Sequence, residues 1–453
     1  MTVTSVLRDP ALTDTAFMTK RAWWLVGLNL LVPGSAQVLA GDRRLGRFGL
    51  RATLVFWGLA VVGIALAVFA PELMLSIVTN TWVLIVAVAV FVFYAVLWVV
   101  LTLDTLRLVR FVRLAPRARA LVAGLAVVSL VAVSGSSAYV AVLGTTGIDL
   151  LDTVFAQGPA QPPVDGKYNI LLLGGDAGPD RQGMRPDSIS VASVDAKTGQ
   201  VTLIGIPRNL EQVPFSAGSP MLQVLPNGYD CGSKCIIDYL YTYGELDWAY
   251  LYPDAEKNNS SPGIEAVRDA AEGVLGIPIQ YYVLIDMQGF SDLIDAMGGI
   301  SITVDKRVPY GANENPDGSP RTKPDGWIEA GTQQMDGNLA LIYTRTRYKT
   351  SDYERMKRQR QVQEAILAQF KPATVLTHFV DIAAAGKEVV RTDIPKQMLS
   401  YFVQLADKSK GQTPVSLDLT PPEVDPAAPD YDTIHARVKE LLWPNATTAP
   451  AAG

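Results

Sequence analysis

Arginine dominates the residues of this chain that could do chemistry. Between Arg345 and Arg360, seven basic side chains (345, 347, 349, 355, 357, 358 and 360) meet two acidic ones (352 and 354), a local net of +5. Leu341-Ile-Tyr-Thr-Arg345-Thr-Arg347 has strand character, and an i, i+2 spacing would set both guanidinium groups on one face. In Asp352-Tyr-Glu-Arg355-Met-Lys-Arg358-Gln359, helical spacing lines up Asp352, Arg355 and Gln359, with Arg358 adjoining. Lys349, Lys357 and Arg360 read as a solvated face. A further arginine, Arg208, is delivered where a strand ends in Ile206-Pro207-Arg208-Asn209. Planar guanidinium forks match phosphate oxygens bidentately, so paired arginines point to an anionic phosphate ligand.

Carboxylates complete this equipment. In Asn169-Ile-Leu-Leu-Leu-Gly174-Gly175-Asp176 a buried strand ends in two glycines and an acid, and Arg185-Pro186-Asp187 returns a second acid at the start of the next strand. Two oxygen ligands without a His or Cys partner suit Mg²⁺ (or Mn²⁺), which takes further oxygens from substrate phosphates. Taken as a pair alone, Asp176 and Asp187 read better as turn-forming residues, the commoner fate of Gly-Asp pairs. The only histidines are His378 and His435, so a centre before residue 370 cannot use imidazole. Arginines converging on a metal are the equipment of phosphoryl transfer, which needs positioning and charge neutralisation more than a covalent nucleophile.

The elements that must position these groups divide sharply. Of 39 basic and 44 acidic residues, positions 1 to 150 hold 12 and 6, a net of +6, leaving 27 and 38, a net of −11. That split excludes a nucleic-acid binder resting on overall positive charge. Three uncharged apolar runs, 52–70, 81–103 and 120–143, are each long enough to cross a bilayer. Arginines 43, 44, 47 and 51 precede the first run, and 107, 110, 113, 117 and 119 precede the third. The positive-inside tendency makes these loops cytoplasmic and carries the chain outside after residue 143. Segment 22–40, interrupted by Asn29, Pro33-Gly34 and Gln37, reads as a re-entrant or interfacial hairpin, with an ordinary fourth span as the alternative. The expected organisation is a cytoplasmic N-terminus (1–21), a membrane region (22–143), a linker (144–166), an extracytoplasmic α/β domain (167–442) and a disordered tail (443–453). Strands are expected at Tyr168–Leu173, Ser188–Asp195 and Val201–Ile206, and helices at Gly263–Leu275, Gln288–Met297 and Glu354–Phe370. Outside the cell, Cys231 and Cys235 are expected to close a small disulfide loop.

The order of these motifs resembles the LytR-CpsA-Psr (LCP) family of cell-envelope proteins from about Tyr168 to Phe370. Beyond the stretches above, the match includes Tyr281-Tyr-Val-Leu-Ile-Asp286-Met-Gln-Gly289-Phe290, running to Gly298-Gly299-Ile300, and Met335-Asp336-Gly337 leading into Arg345-Thr-Arg347. The resemblance implies an α-β-α sandwich and a phosphotransferase that moves a glycopolymer from a polyprenyl pyrophosphate carrier to a peptidoglycan hydroxyl. It implies Asp176 and Asp187 as Mg²⁺ ligands, and Arg185, Arg208, Arg345, Arg347, Arg355 and Gln359 as the pyrophosphate grip, with Arg358 in support. Charge stabilisation would fall to Arg208, Arg345 and Arg347, and a metal-bound acid such as Asp176 could serve as base. Val267, Val274, Leu275, Phe290, Leu293 and Ile294 would line a lipid tunnel, or equally an ordinary core. Asn209, Gly175 and Pro186 depart from the family's usual residues.

The implied partners are a lipid-linked glycopolymer donor, a peptidoglycan acceptor and the membrane; the polymer is left open among teichoic acid, arabinogalactan and capsule. Rival readings are a polyprenyl pyrophosphate phosphatase using the same residues, and a regulator of envelope stress that binds lipid carriers without turnover.

Overall fold

A computed structural model describes residues 14–70, 73–74, 77, 80–156, 158–176, 185–311, 322–348, 350–370 and 390–444. The chain divides into two compact units, Met1–Asp149 and Leu150–Gly453.

In the first unit, α1 (Thr15–Leu31) starts at Asp14, whose carboxylate accepts from the Ala16 and Phe17 amides. The helix therefore begins inside the segment expected to be an N-terminal extension. Pro33 and Gly34, the latter at φ +94°, break the chain before α2 (Ser35–Ala40). A side chain at Gly34 would meet the Leu50 amide nitrogen at 2.5 Å, so only glycine lets the break pack on α3 (Arg43–Phe69). The polar residues that interrupt segment 22–40 fasten it to α4 (Thr81–Val109). The Asn29 amide donates to Thr102 Oγ1 at 3.0 Å, and Gln37 donates to the Leu101 carbonyl at 2.8 Å and Thr105 Oγ1 at 2.9 Å. Among the described residues three helical stretches, Arg43–Phe69, Thr81–Val109 and Pro116–Val140, are long and apolar enough to cross a membrane. The last belongs to α5 (Pro116–Val154), so the expected linker is helical through Val154. Its later part is docked rather than free: the Gln161 amide donates to the Tyr281 hydroxyl at 2.8 Å.

The second unit is a three-layer α-β-α arrangement on a six-stranded mixed sheet. The expected strands form β1 (Lys167–Asp176), β2 (Arg185–Asp195) and β3 (Val201–Ile206), joined by β4 (Tyr281–Asp286), β5 (Val390–Thr392) and β6 (Val415–Asp418), in the order β6-β3-β2-β1-β4-β5. β1 runs antiparallel to β2 and parallel to β4. Period-2 alternation sends Leu171, Leu173, Val191 and Ile204 to one face, where α6 (Tyr239–Leu246), α7 (Pro262–Leu275) and α12 (Tyr431–Leu442) close a core. Leu172, Ala192 and Leu203 face the other way, toward α8 (Met287–Ala296), α9 (Gly337–Arg345), α10 (Asp352–Gln369) and α11 (Leu399–Ser409). A smaller core under α8–α10 joins Ile294, Ile300, Ile302, Tyr343 and Val362.

Three expectations are corrected here. Leu341–Arg345 is helix, not strand. Asp336 caps its start by accepting from the Leu339 amide, and the i, i+3, i+4 set Ala340, Tyr343 and Thr344 is buried. Trp443 is not part of a disordered tail, since it packs on the main core and its indole donates to the Asp165 carbonyl at 3.0 Å; residues 445–453 lie outside the described residues. Arg360 is not solvated: it is 6% exposed and pairs with Asp418 at 2.6 Å. Lys357, by contrast, is exposed against Asp305, and Lys349 lies outside the described residues. Cys231 and Cys235 form the disulfide.

The Arg360–Asp418 pair predicts an asymmetric mutational response. Asp418→Ala strands a buried guanidinium and should cost about 2 kcal/mol in chemical denaturation of the full-length protein, whereas the double change Arg360→Met/Asp418→Leu should recover most of that loss. Equal destabilisation by the single and double variants would contradict the assignment.

Candidate active site

The site gathers at one edge of the large sheet, where β1, β3 and β4 end and β2 begins. The β1/β2 register slips there: Gly174 pairs with Ser188 but Gly175 with Pro186, so Asp187 is the extra residue of a bulge. A bulge re-aims the side chain it carries and tolerates a proline that cannot donate to the ladder. Asp187 is thereby turned out of the strand alternation toward the arginines.

Arg208 is the hub. Its Nη1 donates to Asp187 Oδ1 at 2.6 Å and its Nε to Asp352 Oδ2 at 3.2 Å. Arg355, 2% exposed, donates from Nη2 to Asp352 Oδ2 at 3.1 Å and to the Asp187 carbonyl at 3.3 Å. Arg347 reaches the same two carboxylates at 3.7 and 3.8 Å and remains half-exposed. Three guanidinium groups thus share two carboxylates. Burial opposes the Arg208 charge, but Asp352, Asp187 and Asp238 together outweigh it and push its pKa up. Arg355 goes the other way, down to about 10, through burial first and then repulsion from Arg208 and Arg347 that the acids only partly offset. An incoming phosphate would compete with these carboxylates for the guanidinium groups.

Beside it opens a cavity of about 510 Å³ on the α8–α11 face of the sheet. Leu172, Leu203, Val283, Phe290, Phe402 and Val403 contribute to its apolar wall, and Asp187, Arg345 and Gln359 also border it. Of the expected tunnel residues, Phe290 and Leu293 line this cavity. Val267, Val274 and Leu275 belong to the core on the opposite face, and Ile294 to the smaller core, because the apolar stripe of α7 faces the other side of the sheet.

The expected grip residues separate into those at the cluster and those supporting it. Arg208, Arg347 and Arg355 converge; Arg345 and Gln359 stand on the cavity wall; Arg185 lies over the Tyr239 ring at 5.2 Å. Arg358 is turned away from the cluster. It donates to the carbonyls of Tyr343 (2.9 Å) and Thr346, holding the turn that carries Arg345 and Arg347. Of the expected metal ligands, Asp187 lies at the cluster with its carboxylate on Arg208, and the backbone of Asp176 pairs with Arg185 in the sheet while its side chain lies outside the described residues. Among the described residues no group of three or more His, Cys, Asp or Glu could enclose a metal. The donor set is oxygen-only and sparse, which fits Mg²⁺ or Mn²⁺ completed by phosphate and water rather than a protein-enclosed ion.

Asp238 was missed from sequence. It stands at the start of α6 without capping it, is 4% exposed, and leaves Oδ1 without a hydrogen-bond partner. Burial pushes its carboxyl up to about 6 against the pull of Arg208 and Arg185. A carboxyl raised from about 3.9 in the unfolded chain favours folding when protonated, and that contribution is lost as pH rises through 6. Asp238→Asn should therefore leave stability near that of the native chain at pH 4 and raise it by about 2 kcal/mol at pH 7.5, measured by denaturant unfolding at both pH values. A variant less stable than the native chain at pH 7.5 would contradict the burial assignment.

Known proteins resemble this chain mainly over its second unit. The model of the LytR_cpsA_psr family matches residues 149–425. Among curated proteins, a polyisoprenyl-teichoic acid–peptidoglycan teichoic acid transferase TagU from Bacillus cereus (strain AH820) is 26% identical over 233 residues, covering 51% of this chain and 62% of the relative. A TagU from Halalkalibacterium halodurans is 29% identical over 229 residues, covering 50% and 61%. The chain thus spans under two thirds of the length of these relatives. Among solved structures, TagV of B. subtilis aligns at 23% identity and TM-score 0.43, covering 63% of this chain and 100% of its own. TagT bound to LIIa-WTA aligns at 21% and 0.43, covering 63% and 93%.

Proposed function

The chain belongs to the LytR-CpsA-Psr family, and from that membership we propose that it is a phosphotransferase moving a glycopolymer from a polyprenyl pyrophosphate carrier to a peptidoglycan hydroxyl. The observation that carries this reading is the convergence of Arg208, Arg347 and Arg355 on Asp187 and Asp352 beside a 510 Å³ apolar cavity. A donor with a charged pyrophosphate and a long hydrocarbon needs both features side by side. The TagU relatives, named as transferases of teichoic acid to peptidoglycan, support the same class of donor and acceptor.

In this account the isoprenoid chain occupies the cavity and the pyrophosphate displaces the carboxylates as partner to the arginines. The acceptor hydroxyl oxygen attacks the phosphorus that bears the glycan. The bond from that phosphorus to the bridging oxygen breaks, and polyprenyl phosphate leaves with the electron pair. The acceptor proton passes to a carboxylate; Asp238, with an unpartnered oxygen and a raised pKa, is the described group best matched to receive it at neutral pH. Arg208, Arg347 and Arg355 spread the charge that develops on the transferring group, and Arg345 borders the leaving lipid phosphate. Asp187 with Asp176 would hold Mg²⁺, which supplies further charge neutralisation on the phosphate oxygens. The three apolar helices of the first unit anchor the domain on the outer side of the cell membrane, where a lipid-borne donor and the wall are both within reach.

With full-length protein in nanodiscs, a lipid-linked saccharide donor and peptidoglycan, polymer should become covalently attached to the wall fragments. Arg208→Ala and Arg347→Ala should each lower kcat/KM by about 10²-fold or more. EDTA should abolish attachment, with Mg²⁺ or Mn²⁺ restoring it. Release of free phosphate species without attachment would mean hydrolysis, and undiminished turnover in Arg208→Ala would rule out this site.

A further inference from the structure

The fold leaves an aromatic surface on the side of the sheet away from the cavity, and it begins beside Arg185, next to the arginine cluster. Tyr239, the first residue of α6, lies under the Arg185 guanidinium at 5.2 Å. One helical turn on, Tyr243 stands 6.4 Å from Tyr239 and 5.5 Å from Trp248, ring centre to ring centre. Tyr229 backs both Tyr243 and Trp248 at 6.3 Å and is itself buried in the core opposite the cavity. Tyr243 is 40% exposed, and Leu246 and Tyr250 are 67% exposed. The loop behind the patch is fixed: Cys231–Cys235 closes it, Tyr229 exchanges backbone hydrogen bonds with Val213, and the Asp238 amide donates to the Arg208 carbonyl. Trp248 also packs on that core, whereas Tyr239 and Tyr243 are not among the side chains packed against it, so the run extends from the core outward to a partly exposed face beside Arg185.

Resting on the transferase reading above, we propose that Tyr239, Tyr243 and Trp248 form the acceptor subsite, stacking against the pyranose rings of a peptidoglycan glycan strand. The argument is geometric. Displacement at phosphorus sets the attacking oxygen opposite the leaving oxygen. The leaving group is polyprenyl phosphate, whose chain occupies the cavity on the α8–α11 face. The acceptor must then arrive from the opposite face of the sheet edge, where α6 and the aromatic patch lie. The donor's own sugars, attached to the reacting phosphorus by an equatorial oxygen, leave sideways along the edge. β-1,4-linked N-acetylated sugars carry their substituents equatorially, so each ring offers a flat face of C–H groups that a half-exposed Tyr or Trp can cover.

The test uses full-length protein in nanodiscs, the lipid-linked saccharide donor, and peptide-free strands of alternating N-acetylglucosamine and N-acetylmuramic acid. Tyr243→Ala and Trp248→Ala should each raise the acceptor KM about tenfold, with the donor KM changed by less than twofold, while Tyr243→Phe should stay close to the native value. Strand binding measured by calorimetry, without donor, should weaken in the same order. An unchanged acceptor KM and strand affinity in a folded Tyr243→Ala protein would overturn the subsite, as would a rise confined to the donor KM, which would assign the aromatics to donor sugars. A native protein that binds strands through Tyr243 yet only hydrolyses donor supports the subsite and overturns the transferase reading, so the two failures are distinguishable.

Discussion

Arg208 between Asp187 and Asp352 is the interaction on which the rest of the second unit depends. It brings together residues 144 positions apart, so neither carboxylate can be placed without the sheet and α10 already in register. Each supporting feature can be read as a way of holding charge where water is scarce. The bulge turns Asp187 out of strand alternation. A capping box at Ser351 and Glu354 fixes the start of α10, so that Asp352 and Arg355 project from its first turn. Arg358 ties down the turn that carries Arg345 and Arg347. Buried ions in this number cost stability unless partnered, and guanidinium groups gathered around shared carboxylates suit an anionic ligand that can replace those carboxylates.

The sheet divides the second unit in a way that suits the two-ended substrate proposed above. Its α8–α11 face holds an apolar cavity, its α6–α7 face a packed core that surfaces as aromatics, and the edge between them carries the arginine cluster. A lipid pyrophosphate is apolar at one end and hydrophilic at the other, so a fold with this division would orient such a donor before any specific contact is made. Period-2 alternation along β1 to β3 creates the division, since neighbouring residues such as Leu171 and Leu172 serve opposite layers.

Much of this was legible in the sequence, and the parts that were not share a physical cause. β1, β2, β3, α7, α8 and α10 follow from local pattern: apolar runs ending in glycine or proline, and caps such as Ser261 before Pro262. Arg208, Arg347 and Arg355 were recognisable because phosphate chemistry restricts residue type. Leu341–Thr344 misled because its β-branched and aromatic residues suit a strand, while the deciding cap, Asp336, lies five residues upstream. Arg358 and Arg360 looked like their neighbours in a basic run; their separate destinations, the carbonyls at the C-terminal end of α9 and Asp418, are set by packing that no spacing encodes. Asp238 was invisible for the same reason, since its environment is made by Arg185, Arg208 and Asp352 from three other segments.

The central claim is that this arginine cluster receives a pyrophosphate whose lipid lies in the adjacent cavity. Its most direct measurement is an electron-density map of the protein with a polyprenyl pyrophosphate saccharide bound. The account predicts phosphate density within hydrogen-bonding distance of Arg208, Arg347 and Arg355, with the hydrocarbon running between Leu172, Phe290 and Phe402. Phosphates bound elsewhere, with Arg208 still paired to both Asp187 and Asp352, would contradict it.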